Sequence, residues 1–190
     1  MLPELVISGW VICFGSVIFL SAAFAPMSRI FGARDPEKKL AIINASPGFW
    51  RLFQALFGAG AVITALGVGV FAYALNWLPD AWRFLPTGLL LAGAIPWCAH
   101  VYLRAVDPQA FVAGTLPAWH FRVYTLLTLA AFFLLGIDLL DLLGGGHWQS
   151  FFLMGASMLI FILYQQFKDM PPFVYYLLGL VLGISIIMNA

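Results

Sequence analysis

Charged residues are scarce in this chain. Only 9% of its 190 residues are Asp, Glu, Lys or Arg, where a soluble domain carries about 25%. So few charges cannot wet the surface of a water-soluble globule of this length. With 63% hydrophobic residues and a mean hydropathy of +0.99, the natural solvent for most of the chain is hydrocarbon. Long runs of one charge sign are also missing and the formal net charge is +1. That removes the electrostatic basis for binding nucleic acid, so no nucleic-acid partner is expected.

Cysteine is nearly absent. Cys13 and Cys98 both fall inside apolar runs and read as small buried hydrophobes. Neither a disulfide framework nor a CxxC metal pair can be written from two such residues. The common enzyme signatures are missing as well: there is no GxSxG, HExxH, P-loop or phosphate-binding glycine fingerprint. The start of the chain, MLPELVIS, carries no basic residue and runs straight into a long apolar stretch. This reads as an uncleaved first transmembrane helix rather than a signal peptide.

What the sequence does have is long apolar runs. A membrane-spanning helix needs about 20 apolar residues, and runs near that length lie at 4–25, 50–77, 86–105, 121–142, 148–167 and 172–189. They are continuous rather than alternating, which argues against a strand barrel. The expected fold is an all-α membrane protein, a bundle of six transmembrane helices forming one polytopic domain over residues 1–190. Asp35-Pro36, Ser46-Pro47 and Asp107-Pro108 each pair a capping side chain with a favoured first-turn proline. The first of these predicts a short amphipathic interfacial helix over 36–45, between the first two spans.

Basic residues give an orientation. Arg29, Arg34, Lys38, Lys39, Arg51, Arg104, Arg122 and Lys168 fall on one side of the six-span arrangement, and Arg83 alone on the other. Basic loops stay in the cytoplasm, so both the N-terminus and the C-terminus are expected outside. A bacterial or archaeal cytoplasmic membrane is the expected location.

Inside lipid, helices associate by close packing, and small residues mark the contact faces. The second span carries Ala61, Ala65 and Gly69, with Gly58, Gly60 and Gly67 nearby; the third carries Gly88 and Ala92. In the last span Gly179 and Gly183 form a GxxxG pair, which suits either packing within the chain or contact with a second copy or a membrane-complex partner.

Two candidate sites stand out. On the third span Gly88, Ala92, Pro96, His100 and Arg104 recur at intervals of four, which places them as one stripe. Pro96 cannot donate to the carbonyl of Ala92, so a bend is expected there. Arg104 is close enough to the interface to snorkel into the headgroups, whereas His100 lies deeper. His120 and Arg122 begin the fourth span on the same side. Pro96, His100, Arg104, His120 and Arg122 therefore form a candidate cluster at the cytoplasmic face. Interfacial histidines with ordinary hydrogen bonds, a haem held between His100 and His120, and proton or anion handling are the readings open to it. No HxxxH or carboxylate–histidine spacing supports a metal site.

The second candidate lies at the outer face. Asp138 and Asp141 end the fourth span and His147 follows a glycine turn, a set suited to a hard cation. Thr125 and Thr128 are expected to bond back to their own helix. The other polar groups lie near helix ends, so the bilayer midplane is expected to be dry. A dry midplane favours a non-enzymatic membrane-complex subunit over a protein for passage of a small solute or ion. A haem-binding redox component and a lipid-headgroup enzyme at the cytoplasmic face remain as alternatives. No cofactor is otherwise expected, and the bilayer is the one certain partner.

Overall fold

The computed structural model describes residues 3–33, 35–75, 81–143, 148–167 and 171–190, without the side chains of 81 and 141–143. Among the described residues there is no strand. The chain forms α1 (Pro3–Phe24), α2 (Arg29–Gly32), α3 (Pro36–Ala45), α4 (Pro47–Ala74), α5 (Leu85–Val106), α6 (Pro108–Ala113), α7 (Ala118–Leu143), α8 (Trp148–Phe167) and α9 (Phe173–Asn189). Five of the helices, α1, α4, α5, α7 and α8, are long and apolar enough to cross a membrane; α9 is equally apolar but has 17 residues.

The punctuation follows the local chemistry. The Asp35 carboxylate accepts a hydrogen bond from the Glu37 amide at 2.9 Å, and Pro36 opens α3. Asp107 repeats this for α6, accepting from the Ala110 amide at 2.9 Å ahead of Pro108. Both carboxylates satisfy amides that have no partner within their own helix. Ser46 departs from the pattern: Pro47 opens α4, but the Ser46 side chain makes no capping bond.

Successive long helices pack antiparallel. Gly15 of α1 lies beside Gly60 and Thr64 of α4, and Ile12 lies beside Gly67. Trp50 and Phe57 of α4 reach Arg104 and Trp97 of α5. Gly93 of α5 meets Leu127 of α7, and Gly136 of α7 meets Ser150 and Met154 of α8. Finally Gly9 of α1 lies against Gly183 and Ile187 of α9, so the two termini share one end. Arg29, Lys38, Lys39, Arg51, Arg104 and Arg122 gather at the opposite end, and Arg83 stands at the terminal end.

These contacts close a ring in the order α1, α4, α5, α7, α9, with α8 outside it against α7 and α9. Large apolar side chains also cover the outer surface, among them Trp10, Phe14, Leu66, Ile95 and Leu159. A bundle that is apolar both inside and outside is arranged for a lipid surround. The chain is an integral membrane protein by this measure.

Gly179 and Gly183 are accounted for within the chain. Gly183 sits against Gly9 and Cys13, and Gly179 against Ser16, all on α1. The face that the sequence left open to a second copy is taken up by α1.

Candidate functional site at the basic end of the bundle

Proline chemistry starts this site. α5 ends at Val106, and Pro108 has no N–H to give the carbonyl of Arg104. The indole N–H of Trp50 on α4 donates to that carbonyl instead, at 2.9 Å. This ties the end of α5 to the start of α4 and fixes the backbone from which Arg104 projects.

Arg104 does not snorkel outward. Its guanidinium carbon lies 5.0 Å from the ring centre of Phe111, 5.7 Å from Trp97 and 5.8 Å from Phe31. Helical side chains lean toward the helix N-terminus, and for α5 that direction is back into the bundle. The short helices α2 and α6 bring Phe31 and Phe111 over the charge from the basic end. Cation–π attraction and the depth of Trp97 then hold the head inward.

His100 and His120 are brought together as the sequence suggested. Both are buried, and their ring centres are 6.0 Å apart. The Nδ1 atom of each has no hydrogen-bond partner among the described residues. Trp97 packs beside His100 at 6.0 Å and Trp119 against His120 at 4.0 Å. Gln54 of α4 is 1% exposed, and neither polar atom of its amide has a partner among the described residues. It lies one turn beyond Trp50 on the face of α4 that meets α5. Arg122 is exposed at the same end.

The stripe Gly88, Ala92, Pro96, His100, Arg104 is not one face. Pro96 and His100 are buried, but Gly88 and Ala92 are exposed, and a Cβ on Gly88 would meet nothing within 4 Å. At 100° per residue, a repeat of four drifts about 40° each step, so sixteen residues wind the stripe about 160° around the helix. The buried face of α5 at its other end is Pro86, Leu90, Gly93 and Ala94.

No family model, curated protein or solved structure matches this chain. Function is therefore argued from the residues themselves.

Deeper than the histidines lies an aromatic layer that sequence reading missed. Each helix of the ring supplies one side chain: Phe19 from α1, Phe57 from α4, Trp97 from α5, Tyr124 from α7 and Tyr176 from α9. Phe19 stacks on Tyr176 at 3.7 Å and meets Phe57 edge-on at 4.7 Å. Trp97 stacks on Tyr124 at 4.6 Å and lies 5.9 Å from Phe19. Its indole N–H donates to the Phe57 carbonyl at 3.2 Å, and the hydroxyls of Tyr124 and Tyr176 are 2.7 Å apart. Five buried aromatics in five different helices carry no periodic signal within any one of them.

Nor is the centre dry of polar groups. Thr64 of α4, Thr128 of α7 and Ser16 of α1 are buried well inside their helices, and none of their hydroxyls has a partner among the described residues. Thr125 does not bond back to its own helix; its oxygen accepts from the Tyr175 hydroxyl of α9 at 3.2 Å.

The outer candidate is only partly described. Asp138 is half-buried in α7, which continues as helix through Asp141 to Leu143. The side chain of Asp141 and the whole of His147 lie outside the described residues. Among the described residues, no three of His, Cys, Asp and Glu converge on a point.

Proposed function

We propose that this chain is a non-enzymatic membrane-complex subunit with six spans, both termini outside and its basic end in the cytoplasm of a bacterial or archaeal cell. The observation that carries the subunit reading is the aromatic layer. One ring from each of five helices meets its neighbours across the axis, and rings in stacking contact leave no continuous path for a solute. The polar end, with His100, Arg104, His120 and Gln54, is the part offered to a partner or ligand. α9 counts as the sixth span because α1 and α9 pack antiparallel along their lengths, and helix ends extend into the headgroup region at little cost.

The test is flux against assembly. Purified protein in liposomes is expected to pass small cations and anions no faster than protein-free vesicles. In-membrane cross-linking from the basic end is expected to recover a defined partner. Flux that falls when Asp138 is changed to Asn would replace this reading with passage of a small ion. Labelling of single cysteines placed at residues 3 and 190 from outside the cell tests the topology; labelling only from the cytoplasm would reverse it.

A haem-binding redox component is the second reading, and the 6.0 Å between the imidazole centres of His100 and His120 favours it. Two imidazoles on one iron stand at about that separation, given metal–nitrogen bonds of about 2 Å. Against it, Trp97 and Trp119 pack on the imidazoles where a macrocycle would need space. Protein purified after haem supply is expected to show no Soret band, and a band lost in His100→Ala would establish this reading instead.

A further inference from the structure

The centre of the ring holds a small cavity next to the aromatic layer. It is lined by Ala61 and Thr64 of α4, Leu90 and Ala94 of α5, Tyr124, Thr128 and Phe132 of α7, and Tyr176 of α9. Its volume is about 10 Å³. That is the size at which a site takes one water and nothing larger.

The hydrogen-bond count around this cavity does not close within the protein. Four of the lining residues, Thr64, Thr128, Tyr124 and Tyr176, carry hydroxyls, each with one hydrogen. The tyrosine pair uses one hydrogen in its 2.7 Å bond. Both threonine hydroxyls are left without a protein partner among the described residues, and Tyr176, which accepts in that bond, does not spend its own hydrogen there. Thr64 and Thr128 are each 2% exposed, and Tyr124 and Tyr176 are 2% and 3%. Unmade hydrogen bonds at such depth are costly, and more so with lipid beyond the helices. A water offers two donors and two acceptors and typically makes about three bonds in such a site. Three unmatched hydroxyls around a one-molecule space suit that capacity.

We propose that the centre of the ring is a binding site for a single water, held by Thr64, Thr128 and the Tyr124–Tyr176 hydroxyl pair. The water adds α4 to the direct Tyr124–Tyr176 link between α7 and α9. It also explains why hydroxyl side chains stand in helix interiors that are otherwise apolar. This inference is independent of the subunit reading, because a closed bundle and a gated one would both contain the site.

The experiment is a structure of the whole protein in lipid or detergent, at a resolution that shows ordered waters, paired with the double variant Thr64→Val, Thr128→Val. The wild type is expected to show one isolated peak within hydrogen-bonding distance of both threonine hydroxyls and a tyrosine hydroxyl. The double variant is expected to lose the peak while the Phe19–Tyr176 and Trp97–Tyr124 stacks stay in place. Thr64→Ser with Thr128→Ser is expected to keep it. A wild-type cavity without a peak, with both hydroxyls turned onto carbonyls of their own helices, would overturn the proposal. A peak that persists in the valine variant would overturn the role of the threonines. If the valine variant does not fold, water-to-hydroxyl cross-relaxation in the wild type decides: a long-lived water contact at the tyrosine hydroxyls supports the site, and none refutes it.

Discussion

The α1–α4 seam and the α5–α7 seam are both antiparallel pairs of apolar helices, yet they are built from opposite materials. Along α1–α4 the backbones themselves meet. A Cβ on Gly15 would stand 2.5 Å from the Thr64 amide, and one on Gly60 would stand 2.8 Å from the Phe19 amide and Cβ. Along α5–α7 the helices are held apart by rings: Trp97 on Tyr124, Trp97 beside Phe121, and His100 facing His120. There a Cβ on Gly93 would lie 3.4 Å from the Leu127 Cβ, close to ordinary contact. Where lipid removes the hydrophobic drive between helices, backbone approach gives close packing, here with the Thr64 hydroxyl set against Gly15. Spacing by rings leaves room between helices, and His100 and His120 occupy that room.

The difference can be broken or sharpened by substitution. Trp97→Ala should have the largest effect, because Trp97 is fully buried and links α4, α5 and α7. Loss of about 3–5 kcal/mol is expected from large-to-small truncation, measured by unfolding in mixed micelles. Gly60→Ala should follow, costing about 1–3 kcal/mol as overpacking between two backbones that cannot both move aside. Gly15→Ala, tested in the same way, should also displace the Thr64 hydroxyl, which would lie 2.6 Å from the new Cβ.

Tyr124→Phe should cost about 1 kcal/mol, by removing one bond of the Tyr124–Tyr176 pair while keeping the stack on Trp97. Gly93→Ala should have the smallest effect. It is expected to lie within about 1 kcal/mol of the wild type, because the helix gains propensity where the contact tightens. If Gly93→Ala proves as damaging as Gly60→Ala, the two seams are not different in kind.

Local features were legible where local chemistry decides them. Asp35-Pro36 marks α3, and Asp107-Pro108 marks α6, because a cap acts on amides two or three residues away. The clustering of His100 with His120 was legible too, since both occupy the same end of adjacent antiparallel helices. The α5 stripe was misread because a four-residue repeat is a neighbour rule over one turn and fails over four. The inward turn of Arg104 was missed because its aromatic surround comes partly from α2 and α6, and no spacing within α5 records them.

The sequence by itself determined that this protein lives in lipid, where its long helices lie, and that most of its described basic residues gather at one end. Hydropathy, helix length and the cost of burying charge act along the chain and need no partner segment. Only the tertiary structure decided that α1 takes up the glycine face of α9, that five rings meet across the axis, and that four hydroxyls surround one small cavity. Each of those facts depends on which helices are neighbours and on their rotation about their own axes. Inside lipid that choice rests on close packing, which apolar composition alone leaves open.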